Sequence, residues 1–91
     1  MSNNSRLKVK VNLFTLRRNL EVEKQRKYTW VEMAEKSGLN RKTLERLAQN
    51  KYKRMDFSTL DALLNFFRDE GMPIGIQDLL IVTTEVDDSR E

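Results

Sequence analysis

The chain has 91 residues, enough for one small domain with a single modest core. It contains no cysteine and no histidine, which excludes disulfides, thiolate metal sites and histidine-based catalysis. Its net charge of +3 is uneven, because residues 1–68 hold 16 Lys and Arg against 7 Asp and Glu, whereas residues 69–91 hold 1 against 7. The basic part favours a polyanionic partner. With no membrane-spanning apolar run and no signal-peptide pattern, we expect a cytoplasmic protein.

The N-terminal part of the chain predicts a strand followed by a helix. Leu7, Val9 and Val11 alternate with polar residues, and this period of two predicts a short β-strand. Asn12 can cap a first helix, which a basic connection joins to the next segment. The apolar residues on one face of this helix are Leu13, Leu16 and Leu20.

Residues 29–49 contain two short helical segments separated by a tight turn. Thr29 can cap the first segment, and Glu32 stands where it would complete a capping box. Gly38 can end that helix because glycine adopts the left-handed conformation at little cost, and Asn40 can cap the second helix. The small and apolar residues expected between the helices are Met33, Ala34, Leu39, Leu44 and Leu47. This layout predicts a helix-turn-helix, whose second helix enters the major groove of DNA.

The outward face of the second helix, residues 41–49, is the predicted reading surface. Arginine and lysine can donate to the major-groove acceptors of guanine, and glutamate can accept from cytosine. The predicted base-contacting residues are Arg41, Lys42, Glu45 and Arg46. The predicted contacts to the DNA backbone are Thr29, Trp30, Thr43, Asn50, Lys51, Lys53 and Arg54. The alternative interpretation is a solvated helix hairpin with ordinary surface charge.

The C-terminal half predicts two more helices and a second strand. Asp56 can cap a fourth helix, which Gly71 and Pro73 end. The predicted inner stripe of that helix is Phe57, Leu60, Leu63, Leu64 and Phe67, so Phe66 is expected to be exposed. Residues 76–80 suggest a short fifth helix, and residues 80–86 suggest a strand.

These elements predict a mainly α fold of five helices with short N- and C-terminal β-strands. We expect a single domain over residues 6–84, between a disordered N-terminus at residues 1–5 and an acidic tail at residues 85–91. The two strands can pair within one chain. They also offer apolar faces and open edges to a second copy.

Residues 33–47 resemble the Cro/C1-type helix-turn-helix family, also called XRE-like regulators. Weaker similarity at residues 50–51, 56–60 and 78–80 extends the resemblance over about residues 13–80. The family resemblance implies a five-helix, λ-repressor-like domain that binds operators, usually as a dimer. It also implies base readers at the start of the recognition helix and one turn on. Those positions hold Arg41, Lys42, Glu45 and Arg46.

Two features depart from the family pattern. Trp30 stands where the family often has a glutamine. Its indole can either pack in the core or donate its N–H to a DNA phosphate. The connection before residue 29 is longer than usual, which would place Arg26 and Lys27 near the DNA backbone. Tyr52 is expected to pack on the domain, with a sugar-phosphate contact as the alternative.

The sequence therefore predicts a sequence-specific DNA-binding transcriptional regulator that represses by occupying its operator. We expect a homodimer on a pseudo-palindromic site in double-stranded DNA, associated with the nucleoid when bound. With no glycine-rich phosphate loop and no nucleophile–base pair, we expect no enzymatic activity, no catalytic residue, no metal and no cofactor. The alternative function is a protein-interaction module of the same fold, such as the antitoxin of a toxin–antitoxin pair. Its candidate surface is Phe66 with residues 74–82.

Overall fold

The order of the elements follows the sequence prediction closely. A computed structural model describes residues 5–52 and 54–86, and within these ranges the chain forms five helices and one two-stranded sheet. The elements are β1 (Ser5–Val11), α1 (Leu13–Lys24), α2 (Trp30–Ser37), α3 (Arg41–Ala48), α4 (Phe57–Asp69), α5 (Ile76–Leu79) and β2 (Leu80–Val86). Ser5, Glu85 and Val86, which we expected in the two loose ends, belong to the strands. The rest of the predicted disordered N-terminus and acidic tail lies outside the described residues.

Short polar side chains start three of the helices as predicted. The side chain of Thr29 accepts the N–H of Glu32 at 3.0 Å, and that of Asn40 accepts the N–H of Lys42 at 2.7 Å. The carboxylate of Asp56 accepts an N–H in the first turn of α4 at 3.1 Å. Each bond satisfies a backbone donor that the helix itself leaves without a partner.

Two predicted capping interactions are wrong. Asn12 precedes α1, but its side chain makes no cap bond and instead donates to the carbonyl oxygen of Asp78 at 3.2 Å. Glu32 does not complete a capping box, because its carboxylate pairs with Arg26 and with Lys36 at 3.1 Å. In both cases a longer-range partner takes the side chain that the local pattern assigned to the helix end.

The turn between α2 and α3 is built as the sequence predicts. Gly38 has φ +80°, the left-handed conformation, and its N–H donates to the carbonyl of Ala34 at 2.9 Å. Met33, Leu44 and Leu47 are buried, while Ala34 and Leu39 pack half-buried against the core. The turn therefore holds two short helices over a shared apolar layer.

The inner stripe of α4 is rotated from its predicted position. Phe66, expected to be exposed, is buried at 2% exposure, and Phe57, expected inside, is 84% exposed. Leu60, Leu63 and Phe67 are buried as predicted, while Leu64 is half-buried. At about 100° per residue, the buried set is centred roughly 60° from the expected one. Phe66 lies on the side of the helix that this rotation buries, and its ring makes edge-to-face contacts with the rings of Tyr28 and Phe67.

The two terminal strands pair antiparallel within the chain and form what we call the terminal ribbon. Val9 lies opposite Val82, and Val11 lies opposite Leu80. Val11 is buried and Leu80 half-buried against the helical core, so the base of the ribbon packs on the domain. Farther out on this same face the side chains are exposed, with Leu7 at 77% and Val82 at 62%.

The two edges of the ribbon differ. The N–H of Asn12 donates to the carbonyl of Leu79 at 2.7 Å. Because antiparallel bonding alternates along a pair, the backbone of Val82 and of Thr84 points away from β1. On the β1 edge, the outward-pointing backbone groups of Val9 and Val11 form hydrogen bonds with side chains of the loop after α3. On the β2 edge, no bond to Val82 or Thr84 is found within the described part of the chain.

The loop after α3 holds the β1 edge through two side chains. The amide of Asn50 accepts the N–H of Val11 at 2.8 Å and donates to the carbonyl of Val11 at 3.2 Å. The hydroxyl of Tyr52 lies 3.4 Å from the carbonyl oxygen of Val9. The ribbon is thereby attached to the segment that directly follows the predicted recognition helix. Across residues 5–52 and 54–86, no helix combines the length and apolar character needed to cross a membrane.

Candidate nucleic-acid interface

Helix α3 presents a buried face and a charged face. Leu44 and Leu47 are buried in the core, whereas Arg41, Lys42 and Arg46 are exposed. These cations lie on the sectors that the two leucines leave free. The structure therefore brings the predicted base-contacting residues onto the accessible side of the helix.

Glu45 moderates the charge of this surface. Its carboxylate lies 3.6 Å from the guanidinium Nε of Arg41, one helical turn earlier. The two side chains remain 38% and 56% exposed, so the pair contributes little to stability.

Arg46 lies beside the loop cations and not with Arg41. It lines an open groove of about 560 Å³ together with Lys51 and Arg54 of the loop after α3. Within the described residues, these three cations form no ion pair. Thr43 and Thr59 border the same groove, and the hydroxyl of Thr59 donates to the carboxylate of Asp56 at 2.8 Å. Three neighbouring cations match the groups that bind phosphate oxygens in protein–DNA complexes.

Comparison with known protein families identifies the family to which this chain belongs. The family model of the Cro/C1-type HTH DNA-binding domain matches residues 21–85, more than half of the chain. The chain belongs to this Cro/C1-type family. No match to this chain was found among the curated proteins or among the solved structures. The family match spans α2 and α3 with the surface described above, and it begins after most of α1.

In this Cro/C1-type domain, Trp30 packs on the protein. Its ring is half-buried against the core, and the guanidinium of Arg17 lies 4.5 Å from the ring centroid. Arg17 also donates to the carbonyl of Tyr28 at 2.7 Å and pairs with Glu21 at 3.7 Å. Packing therefore accounts for Trp30, and its phosphate contact stays a prediction.

A charged cluster braces α2 against α4. The Tyr28 hydroxyl donates to Glu70 at 2.9 Å, and Lys36 lies 3.2 Å from the same carboxylate. Burial raises the pKa of Tyr28, and its hydrogen bond to Glu70 raises it further. Burial acts to raise the pKa of Glu70, but the bonds from Tyr28 and Lys36 and the nearby positive charges outweigh it, so that pKa is lowered. The cluster therefore links Lys36 of α2 and Tyr28, just before α2, to the C-terminal end of α4.

The remaining predicted backbone contacts have mixed positions. Thr29 is exposed, but its hydroxyl is already bonded as a helix cap. Both polar atoms of the Asn50 amide bond to Val11, so a phosphate contact by this side chain would compete with the fold. Arg26, expected near the DNA backbone, pairs with Glu32 and lies over the ring of Tyr28. Lys53 lies outside the described residues.

Sequence reasoning missed the roles of Tyr28 and Asn50. Tyr28 stands in a basic segment that reads as a linker, yet it is 2% exposed and anchors the charged cluster. Asn50 has φ +58°, a conformation that asparagine adopts more readily than most residues. The asparagine itself was the available signal, because it follows a helix directly. Its partner in β1 is 39 positions away and could not be read locally.

Proposed function

We propose that this protein is a sequence-specific transcriptional repressor that acts by occupying an operator. The observation that supports it best is the exposed cationic face of α3, continuous through Arg46 with the groove of Lys51 and Arg54. Such a surface can place base-reading side chains in the major groove while neighbouring cations hold phosphates. Repression follows most simply from blocking a promoter, because the described residues provide no second domain for a signal.

The geometry supports base reading by some residues of this surface and phosphate binding by others. Arg41, Lys42 and Glu45 lie at the N-terminal end of α3, the end that reads base edges when such a helix enters the groove. Arg46 lies against the loop cations, so we assign it to the boundary between bases and phosphates. Thr43, Lys51 and Arg54 are assigned to the DNA backbone, with the predicted contacts of Thr29, Trp30, Asn50 and Lys53 as further candidates.

The test uses a duplex selected from random sequence by the wild-type protein and a scrambled duplex of equal length. Arg41→Ala should weaken binding to the selected duplex by ~1–3 kcal/mol and leave binding to the scrambled one nearly unchanged. Replacing Lys51 and Arg54 should weaken both and reduce the salt slope by roughly 0.9 per lost contact. The matched control is Arg68→Ala, at the exposed end of α4, where an arginine pairs only with Asp69 among the described residues.

Equal wild-type affinity for the two duplexes would contradict sequence-specific recognition. A loss at Arg68→Ala as large as at Arg41→Ala would show that only overall charge matters. Equal losses on both duplexes for Arg46→Ala would assign that residue to phosphate alone. A reporter fused to the selected site then separates repression from activation, since operator occupancy predicts lower expression with the protein than without it.

We further propose that the protein works as a homodimer, joined through the β2 edge of the terminal ribbon. One recognition helix reads too few base pairs to single out an operator, and two helices about 34 Å apart would read a pseudo-palindrome. Strand β2 carries no cation, so two copies can pair there without opposing like charges. Strand β1 carries several, and its edge is already held by Asn50 and Tyr52.

The alternative function, a protein-interaction module such as an antitoxin, is less well supported. Its candidate surface relied on Phe66, which is buried. Ile76 and Val82 are exposed, and so is Phe57 at 84%, so an apolar surface for another protein would have to use these side chains. Copurification of a protein encoded next to this gene, lost on Phe57→Ser but not on Arg41→Ala, would favour this alternative. A regulator bound to chromosomal DNA would be cytoplasmic and nucleoid-associated.

A further inference from the structure

Strand β1 sorts its side chains by charge. In a strand, successive side chains point to opposite faces, so Arg6, Lys8 and Lys10 share one face while Leu7 and Val9 share the other. Val11 is buried and lies on the Leu7 side. The face opposite, which we call the basic ribbon face, is therefore turned away from the core. Arg6 and Lys8 are exposed and Lys10 is half-exposed.

The basic strand is also the one beside the DNA-binding loop. Asn50 and Tyr52 hold the edge of β1 through bonds to Val11 and Val9. Tyr52 at the same time lines the groove of Arg46, Lys51 and Arg54. One side chain thus contacts both the strand that carries the cations and the groove assigned to phosphates. Strand β2, on the far side of β1 from this loop, has no lysine or arginine.

We propose that the basic ribbon face is a second DNA-binding surface, which contacts the phosphate backbone beyond the reach of α3. This inference rests on the proposed DNA-binding function and extends its footprint. The ligand is duplex DNA recognised by charge, because the residues are two lysines and an arginine on an exposed strand with no enclosing pocket. Such contacts hold the register of the domain on DNA and carry no sequence information.

The dimensions of the strand suit a phosphate backbone. Alternate residues of a strand lie about 6.7 Å apart, which is about twice the axial spacing of phosphates on one DNA strand. From Lys10 to Arg6 the cations therefore extend the surface by about 13 Å from its base at the loop. In the register of the ribbon, Arg6 lies opposite Glu85, Lys8 opposite Thr83 and Lys10 opposite Ile81.

The test compares two triple variants with the same loss of charge. Arg6, Lys8 and Lys10 are replaced by glutamine in one, and Arg18, Lys24 and Arg68 in the other, all three on exposed helix positions. Each is titrated against the duplex selected by the wild type over a range of salt. For each bound copy, the ribbon variant should lower the slope of log affinity against log salt by about 2 to 3, because each lost phosphate contact removes roughly 0.9. The control variant should lower it by less than 1.

Hydroxyl-radical footprinting locates the effect. Sugar–phosphates protected by α3 and its loop should stay protected with the ribbon variant, while a separate flanking set becomes accessible. Circular dichroism and sedimentation of the same variants establish that fold and assembly are unchanged.

Equal slopes for the two triple variants, with identical footprints, would overturn the inference while leaving the function of α3 intact. A wild-type protein that binds no duplex would instead overturn the proposed function itself. If the ribbon variant is unfolded, the single substitutions Lys8→Gln and Lys24→Gln are compared instead, by the change each causes in the slope of log affinity against log salt. A difference of about 0.9 for each bound copy supports the inference, and no difference refutes it.

Discussion

At the scale of single residues, the domain depends on side chains whose partners are distant in sequence. The main chain of Tyr28 bonds to Arg17 and Glu21 of α1, while its hydroxyl bonds to Glu70, 42 positions later. The N–H, the carbonyl and the hydroxyl of this buried tyrosine therefore each bond to a different residue. This explains how a residue in an irregular connection can be fully buried without leaving a polar atom unsatisfied.

Glu70 should make stability depend on acidity in a defined direction. Its pKa lies below the ordinary value of 4.5, so its contribution is complete above that pH and is lost as the pH falls through the lowered value. Glu70→Gln should therefore cost roughly 1 kcal/mol in urea unfolding at pH 7 and progressively less towards pH 3. Asp56, whose pKa is lowered chiefly by hydrogen bonds from Thr59, remains in both proteins. The difference between the two curves isolates Glu70, and a constant difference would contradict this role.

Gly38 should be required for its backbone conformation and not for space. With φ +80°, any side chain is strained, yet an added Cβ would meet nothing within 4 Å. Gly38→Ala should therefore lower the free energy of unfolding by ~1–2 kcal/mol, and Gly38→Asn by less, because asparagine tolerates this conformation. Thermal and urea unfolding check both. If alanine and asparagine cost the same, steric contact and not backbone strain would be the cause.

At the scale of elements, local chemistry determined what the sequence could predict. The caps Thr29, Asn40 and Asp56 and the turn at Gly38 were confirmed, because each needs only its own neighbours within three or four residues. The rotation of α4 was not predictable in the same way. Apolar residues occupy nearly all sides of that helix, so the pattern alone could not choose between Phe57 and Phe66. Packing against Tyr28, which the sequence placed in a linker, made the choice.

The rotation of α4 can be tested by exchanging the two phenylalanines for alanine in turn. Phe66→Ala should lower the free energy of unfolding by ~3–5 kcal/mol, because it opens a cavity beside Tyr28 and Phe67. Phe57→Ala should change it by less than about 0.5 kcal/mol, since the ring is 84% exposed. Urea denaturation with both variants gives the comparison. A larger loss for Phe57→Ala than for Phe66→Ala would place the stripe where the sequence first suggested.

At the scale of the whole molecule, charge and open backbone edges are distributed to different sides. The cations of β1 and the loop after α3 lie along one side of the ribbon, next to the groove of Arg46. The other side is β2, with one glutamate and no cation. A second copy joined at β2 would therefore leave the basic surfaces of both copies free for one DNA duplex. Joining at β1 would cover them and bring like charges together.

The proposed dimer can be tested by removing one backbone donor from either edge. The N–H of Thr84 points away from β1, and that of Leu7, its partner in the register, points away from β2. Proline at either position leaves the bonds between the two strands in place, so the ribbon should survive both changes. Thr84→Pro should therefore give a monomer in sedimentation at micromolar concentration, while Leu7→Pro stays dimeric. The monomer should bind the selected duplex more weakly and without cooperativity, because each recognition helix then binds its half-site alone. A dimer that survives Thr84→Pro but not Leu7→Pro would move the interface to the β1 edge and contradict the proposed dimer.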